Sequence, residues 1–423
     1  MQLQHHTEVG PLPRNEDKIF VAEAVPCALV ADGLSVKAGG DWAAEYLGQE
    51  FTAELQKSAG TLASLRMHSP KEIKAQLEKV VDALVQRISK KIFEEGSKRP
   101  DLTGMCTGFD SVLQVAGHLF VAHVGAGRVY LIRRGEAHLL TEDHTQLAHL
   151  KRIGKLDKVS PQDQQLFARR VTRAVGFQES VKVDYLILEL EKGDRIACVT
   201  DGIWQTLGDA TTANTLSIAE EAKSVVEKIM GLVQETGPKD NFSALLWQPD
   251  LQSAGAESDS ADQKLKMLGR IPAFQYLSYQ ELVKLISFGE LNKVAAGQEL
   301  CKEGDPGGEM MLILNGNALV RKSGKEIGRL AKGDVFGEMS MIDAAPRSAT
   351  VVATMATNVL AFPRKELFQL FQEDSALAVK FLWGVTLEMN KRLREASSKL
   401  VGKSETEWTP SAKDAILPFV KDL

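Results

Sequence analysis

Two short apolar runs, each closing on Asp-Gly, constrain this chain more than any other feature: Ala28-Leu-Val-Ala-Asp32-Gly33 and Ile196-Ala-Cys-Val-Thr-Asp201-Gly202. Each is short enough for a buried strand, and each ends on a carboxylate followed by the residue that lets a backbone turn sharply. A third run, Phe242-Ser-Ala-Leu-Leu-Trp247, follows Asp240-Asn241, so a further strand carries a carboxylate at its entry. Taken singly, Asp-Gly is a common turn. Three such carboxylates at strand ends point to a shared site, and acids gathered at the rim of a buried sheet cannot all stay ionised without a cation. Oxygen-only ligation favours Mg²⁺ or Mn²⁺ over zinc.

A length of 423 residues predicts two or three domains. The net charge of -5 argues against nucleic acid as a partner. Cys27, Cys106, Cys198 and Cys301 lie far apart, without metal-type pairs or a disulfide framework. Met1 to Val9 is polar, so no signal peptide is expected there, and no apolar run approaches a membrane span. The expectation is a cytoplasmic protein with no nucleic-acid and no membrane partner.

Residues 41–58 and 70–95 have helical period, with Ile73, Leu77, Val80, Leu84, Ile88 and Ile92 on one stripe. Pro100 ends the second helix. From Gly104 to Leu140 the period shortens into strands, Ser111–Ala116, Leu119–Val124 and Arg128–Arg133, read as an antiparallel meander. Residues 181–190 and 195–200 add strands, and Ala219–Gln234 adds a helix. The first domain, residues 1–248, is therefore α+β with helices flanking its sheets.

Residues 249–264 are poor in large apolar side chains and read as a flexible linker. Beyond it, residues 265–402 combine short strands punctuated by glycines from about Leu291 to Pro363 with helical period from Lys365 to Leu400, which fits a small barrel or jelly roll with flanking helices. Residues 403–423 form a C-terminal tail. Gly402-Lys403-Ser404 hints at the end of a P-loop, but the position where its first Gly belongs is Ser397 and no strand precedes it.

The series Asn15-Glu16-Asp17, Ala31-Asp32-Gly33, Val124-Gly125-Ala126-Gly127-Arg128, Leu140-Thr-Glu-Asp143-His144, Thr172-Arg173-Ala-Val-Gly176, Thr200-Asp201-Gly202 and Lys239-Asp240-Asn241-Phe-Ser243 resembles the ordered motifs of the metal-dependent type 2C (PPM) Ser/Thr protein phosphatases. The resemblance implies a β-sandwich between helices with a two-metal centre at one end. It implies Asp32 bridging two ions, the Gly33 carbonyl on one of them, Asp201 and Asp240 completing the first, and Glu16 on the second. Paired divalent ions activate a water, aim it in line at phosphorus and neutralise the phosphoryl oxygens. Three positions depart from the pattern: Leu12 replaces a phosphate-binding Arg, with Arg14 two residues on. Ala126 replaces an Asp that holds an additional metal, and Leu34 replaces a His general acid found in many eukaryotic members. His123 and His144 are expected to be structural, as are the hydrogen bonds of Asp143 and Arg173.

In Phe336-Gly-Glu338-Met-Ser-Met-Ile-Asp-Ala-Ala-Pro-Arg347-Ser-Ala-Thr-Val351, a half-turn of helix, a carboxylate and an Arg beside small residues suit an anionic sugar. Exposed amides at a helix start accept phosphate, Arg347 pairs with it bidentately and Glu338 accepts a ribose hydroxyl. This run is similar to the phosphate-binding cassette of cyclic nucleotide-binding domains, supported by Lys302-Glu-Gly304-Asp-Pro, Leu314-Asn-Gly316 and Lys332-Gly-Asp-Val-Phe336. The resemblance implies a ligand set of Gly337, Glu338, Met339, Arg347, Ser348 and Ala349. Ser348 favours cAMP over cGMP, and the terminal helices around Phe381–Leu393 are implied as a lid. The expected function is dephosphorylation of phosphoserine or phosphothreonine proteins under cyclic nucleotide control. A phosphatase-fold sensor that binds without turnover is the alternative.

Overall fold

All three acid-flanked runs are strands in the computed structural model, which describes residues 2–22, 25–35, 37–251, 261–271, 274–339 and 345–401. Strand β3 (Cys27–Ala31) stops just before Asp32, β11 (Arg195–Val199) just before Thr200-Asp201, and β12 (Phe242–Gln248) starts just after Asp240-Asn241. All lie in the first of two units, Met1–Glu257 and Ser258–Leu423.

The first unit contains two five-stranded sheets. One runs β1 (Gln2–Glu8), β12, β11, β8 (Arg128–Arg133), β9 (Glu136–Leu139). The other runs β10 (Asp184–Glu189), β7 (His118–Val124), β6 (Phe109–Val115), β3, β2 (Lys18–Ala22). Neighbours are antiparallel throughout. A short pair, β4 (Gly33–Leu34) with β5 (Cys106–Thr107), continues from the Asp32 end.

Helices α1 (Gly40–Lys57) and α3 (Pro70–Lys98), joined through α2 (Ala59–Ser64), cover one sheet. Leu47, Phe51, Leu77, Ile88 and Ile92 pack there with Leu29, Phe109 and Phe120. Ser69 and Glu72 form a reciprocal capping box, and Pro70 supplies a φ already suited to the first turn. The expected stripe is corrected at one place: Val80 is exposed and Val81 is buried, because a 3.6-residue period needs that extra step to stay on one face. On the opposite sheet, α6 (Asp201–Leu207), α7 (Asp209–Leu216) and α8 (Ala222–Thr236) bury Ile203, Leu216, Val225, Ile229 and Val233 against Ala197, Phe242 and Leu246. The result is the helix-flanked sandwich expected from the sequence.

One expectation fails, and one element had no sequence sign. The meander breaks after β7: β8 joins the other sheet, and the Gly125-Ala126-Gly127 loop carries the crossing. The polar start is a strand. β1 is exposed along most of its length, and its order comes from seven register pairs with β12 rather than from burial, so hydropathy carries no sign of it.

In the second unit, α9 (Ala261–Arg270) begins inside the stretch read as linker, so residues 261–264 are helical. Helix α10 (Tyr279–Phe288) follows, with its own capping box from Ser278 and Glu281. Two four-stranded sheets enclose Met311, Ile313, Phe336, Val351, Val359 and Ala361. Their orders are β13 (Glu290–Val294), β20 (Thr357–Pro363), β15 (Glu309–Asn315), β18 (Val335–Phe336), and β14 (Glu299–Cys301), β19 (Thr350–Ala353), β16 (Ala318–Lys322), β17 (Lys325–Leu330). Helices α11 (Arg364–Glu373) and α12 (Ser375–Val401) close the unit. Lys284 to Asp374 at 2.9 Å and the buried pair Lys380 to Glu281 at 3.1 Å tie α10 to the segment joining α11 and α12 and to α12 itself. Residues 340–344 of the cassette, Gly402-Lys403-Ser404 and the tail lie outside the described residues. Among the described residues no helix is long and apolar enough to cross a membrane.

Candidate active site

The antiparallel pairing of β2 with β3 and of β11 with β12 brings four chain segments to one end of the sandwich: Glu16-Asp17, Asp32-Gly33, Asp201 and Asp240-Asn241. Asn241 clamps them. Its Oδ1 accepts from the Glu16 N–H at 2.9 Å, and its Nδ2 donates to the Val9 and Arg14 carbonyls. The Asp32 carbonyl accepts from the Gly108 N–H at 2.7 Å and from Thr107 Oγ1 at 3.1 Å. Asp17 joins the two sheets, with Oδ2 accepting from Thr200 Oγ1 at 3.0 Å and Ser243 Oγ at 2.7 Å.

Both Asp-Gly glycines serve a purpose the sequence reading did not give them. Neither has positive φ. A Cβ at Gly33 would lie 2.5 Å from the Glu16 and Gly40 carbonyl oxygens, and one at Gly202 would lie 2.0 Å from the Asn241 carbonyl oxygen. Glycine is there so that backbones carrying acids can approach closely, and either Gly→Ala change would push the segments apart.

Crowding has an electrostatic consequence. Burial, then the neighbouring carboxylates of Asp201, Asp17 and Asp240, hold Asp32 well above the usual carboxylate range. Burial, reinforced by Asp240 and Asp17, pushes Asp201 up to about 8, and burial raises Asp17 to about 6. Burial also raises Asp240, opposed by the Asn241 N–H and by Arg169. Glu16 is raised by burial, although Ser35 Oγ donates to both its oxygens at 3.0 and 3.1 Å. Unfolded carboxylates titrate near pH 4, so the metal-free folded state retains protons that the unfolded state has released. Stability from these groups is present below that pH and is lost as pH rises through about 6 and then about 8. Chelator-treated protein is therefore expected to melt lower at pH 8.5 than at pH 6.5, and Mn²⁺ to raise the melting temperature more at pH 8.5. Equal metal-induced shifts at the two pH values would refute this.

Beside the cluster, the loop crossing between the sheets is pinned at each residue. The Gly125 N–H donates to His144 Nδ1 at 3.0 Å, Trp204 Nε1 donates to the Ala126 carbonyl at 2.9 Å, and Gly127 leaves room for the Asp110 carboxylate. His123 Nδ1 lies 2.6 Å from Asp110 Oδ1, while His144 Nε2 lies 2.9 Å from Asp184 Oδ2. Burial lowers the His144 pKa to about 4, so this imidazole is neutral and accepts through Nδ1. Arg173 reaches Asp184 at 2.7 Å, and Arg128 holds Asp143 through two nitrogens at 2.9 and 2.8 Å. These are the structural roles expected of His123, His144, Asp143 and Arg173. Arg14 sits at the rim with its guanidinium 3.3 Å from Asp41, and Leu12 is exposed.

In the second unit, Gly337 (φ 81°) and Arg347 meet: a Cβ at Gly337 would lie 2.3 Å from Arg347 Nη1. Arg347 is buried, with its N–H donating to the Asp305 carbonyl at 2.8 Å and its carbonyl accepting from the Gly304 N–H at 2.9 Å. The Gly304 turn thus fixes the Arg347 backbone. Glu338 is half-buried beside Gly337, Met339 and Ser348 are exposed, and Ala349 accepts from the Cys301 thiol.

A family model described as "Protein phosphatase 2C" matches residues 12–246, more than half of the chain. The chain belongs to this family. It is a protein serine/threonine phosphatase, of a family typically metal-dependent, and it carries a cyclic nucleotide-binding domain, matched over residues 291–374. The serine/threonine phosphatase stp of Listeria innocua is 25% identical over 260 residues, covering 61% of this chain and 96% of the relative. A cAMP-dependent protein kinase regulatory subunit of Mycosarcoma maydis is 37% identical over 122 residues, 27% of this chain, and the match spans 23% of that protein. The solved structure of serine/threonine phosphatase Stp1 from Staphylococcus aureus shares the fold at TM-score 0.51 and 20% identity, over 59% of this chain and 95% of that one.

The acid cluster of this phosphatase suits a hard divalent ion: its donors are all oxygen, and its carboxylates raise one another's pKa. Among the described residues no three His, Cys, Asp or Glu side chains form a ready-made set for one ion. Ions here would draw carboxylates from separate segments toward one another, with water completing the shell, as it usually does around Mg²⁺. At the position of the family's additional ligand, Ala126 is buried in the apolar cluster around Trp204 and Ile203. The sequence reading assigned no role to Asp17 or Ser35. Adjacent acids such as Glu16 and Asp17 give no linear signal of which one faces the sheet seam.

Proposed function

We propose that this phosphatase hydrolyses phosphoserine and phosphothreonine monoesters with two divalent ions, Mg²⁺ or Mn²⁺, and that a cyclic nucleotide, cAMP in preference to cGMP, controls its rate. One observation carries the first half: Asp32, Asp201 and Asp240 converge from both sheets, the first two buried and the third half-buried, and the charge of Asp240 disfavours that of the other two. Asp32, Asp201 and Asp240 would hold the first ion, and Asp32, the Gly33 carbonyl and Glu16 the second. When bound, such ions polarise the phosphoryl group and activate water. The chain itself fixes these donors through Asn241 and Asp17, and Arg14, exposed beside Asp41, would reach the phosphate. No protein nucleophile is needed. Its phosphatase unit is assigned to residues 1–248 and its nucleotide unit to residues 265–402.

For the second half, the contact of Arg347 with Gly337 supports a cradle for a cyclic phosphate, with Glu338 toward the ribose and Met339, Ser348 and Ala349 around it. Control of the rate requires nucleotide to bind one state of the protein more tightly than another. The test is p-nitrophenyl phosphate hydrolysis with Mn²⁺, with and without cAMP or cGMP. Metal-dependent turnover that cAMP changes at lower concentration than cGMP is the expected result. A protein that binds cAMP yet turns over no phosphate ester under any metal would be the sensor instead. In Arg347→Ala, loss of charge-assisted hydrogen bonds is expected to weaken cAMP binding by about 10- to 100-fold. Calorimetric titration with cAMP reads this directly.

A further inference from the structure

The position from which the family's arginine binds phosphate is Leu12 here, and the nearest rim arginine, Arg14, shares its guanidinium with Asp41 at 3.3 Å. A phosphate monoester dianion nonetheless needs cationic contacts beyond the metal ions to be held in line. The described arginines near this end of the unit are mostly engaged. Arg128 is paired with Asp143 and Asp209, Arg173 with Asp184, and Arg152 with Glu142; Arg170 lies over the Phe167 ring and bonds Gln146. Arg169 is different.

Arg169 caps the C-terminus of helix α5 (Pro161–Ala168), is exposed, and forms no ion pair among the described residues. The acid cluster holds its backbone in place. Gln205 Nε2 donates to Asp201 Oδ2 at 2.7 Å and to the carbonyl of Ala168, the residue before Arg169, at 3.3 Å. On the other side, the Gln146 N–H donates to the Arg170 carbonyl at 2.8 Å, and Thr145 bridges Val171. The backbone next to this exposed arginine is thus tethered through one glutamine to a proposed metal ligand. Its positive charge reaches both Asp201 and Asp240, lowering the proton affinity of each.

We propose that Arg169 is a phosphate-binding residue of this active site, contacting the non-bridging oxygens of the substrate phosphoryl group from the α5 side. The inference rests on the phosphatase reading above and deepens it. In the metal-free arrangement the Gln205 bridge keeps the chain at Ala168 and Arg169 close to Asp201. Once divalent ions neutralise those acids, the Arg169 fork of donors is free for a dianionic phosphoryl group to accept.

The experiment compares full-length wild type, Arg169→Ala and Arg169→Lys with Mn²⁺, measuring KM and kcat for p-nitrophenyl phosphate. Calorimetry of inorganic phosphate binding gives a readout independent of turnover. For Arg169→Ala, KM is expected to rise and phosphate affinity to fall about tenfold or more, the loss of one charge-assisted contact, with a smaller change in kcat. Arg169→Lys keeps the charge without the fork and is expected to recover part of both. Unaltered KM and phosphate affinity in a folded Arg169→Ala protein that still turns over would overturn the inference, as would a uniform fall in kcat that Arg169→Lys does not relieve. A wild type that hydrolyses nothing but binds phosphate in an Arg169-dependent way would overturn the phosphatase reading and keep the binding site. Should Arg169→Ala fail to fold, Arg169→Lys and Arg169→Gln carry the same measurements.

Discussion

Asp201→Asn is expected to lower Mn²⁺-dependent hydrolysis by about 10³-fold, because metal-borne stabilisation of a phosphoryl transition state is worth several kcal/mol and each 1.4 kcal/mol is a factor of ten. The substitution keeps the shape of the side chain, and Gln205 can still donate to the remaining oxygen. What changes is charge. Asp201 is buried, with a pKa of about 8 imposed by burial, Asp240 and Asp17, so removing its charge relieves repulsion in the metal-free protein. The signature is therefore a pair of opposite effects: the chelator-treated variant melts at or above wild type at pH 8.5, while its Mn²⁺-induced rise in melting temperature is largely lost. Calorimetry with and without Mn²⁺, beside turnover, checks both. A variant that loses turnover only because it melts well below wild type would make Asp201 a structural acid and sink the metal assignment.

The second large effect concerns stability alone. His123→Ala is expected to destabilise the phosphatase unit by about 3–5 kcal/mol, the range for breaking a buried charged pair by removing one partner. Both side chains of the His123–Asp110 pair are 2% exposed and stand 2.6 Å apart. Burial raises the Asp110 pKa. Burial opposes a charge on His123, but the Asp110 carboxylate outweighs it and the imidazole is raised as well. Without His123, the carboxylate keeps its burial and loses its partner, and the Glu142 carbonyl loses the 2.9 Å contact with Nε2. His123 also packs at a tilt against His144, ring centroids 4.6 Å apart, so the loop at Gly125 loosens with it. At roughly 2–4 °C per kcal/mol for a unit of this size, the melting temperature should fall by about 10 °C. A double-mutant cycle with Asp110→Asn separates the pair from the cavity. A coupling energy under about 0.5 kcal/mol would mean that the two side chains act independently.

Much of the architecture was legible in linear pattern, because burial imposes period. The apolar runs ending at Asp32 and Asp201 had to be strands, and the stripe along residues 70–95 had to be a helix lying on them. The gap in large side chains after Pro249 marked where one unit gives way to the next, though α9 begins four residues before that stretch ends. Ordered motifs, not any single one, carried the family. What escaped the sequence is whatever depends on which segments meet. β1 is ordered by backbone bonds to β12, at the far end of the same unit, and polar side chains do not record such bonds. Gly33 and Gly202 read as turns but exist for backbone contact with Glu16, Gly40 and Asn241, distant in sequence. Glu16 and Asp17 are neighbours with different fates, because alternation sends one toward the cleft and the other into the seam between sheets. Arg169 carries no motif at all; what brings its stretch of chain near Asp201 is one glutamine side chain that bridges the carbonyl of Ala168, at the end of a helix, to the Asp201 carboxylate. The sequence by itself determined which chemistry the chain could carry, since strand ends and acids are local facts. Only the tertiary structure decided which charges face one another, because electrostatic and hydrogen-bond energies depend on distance in space, and the fold sets those distances independently of separation along the chain.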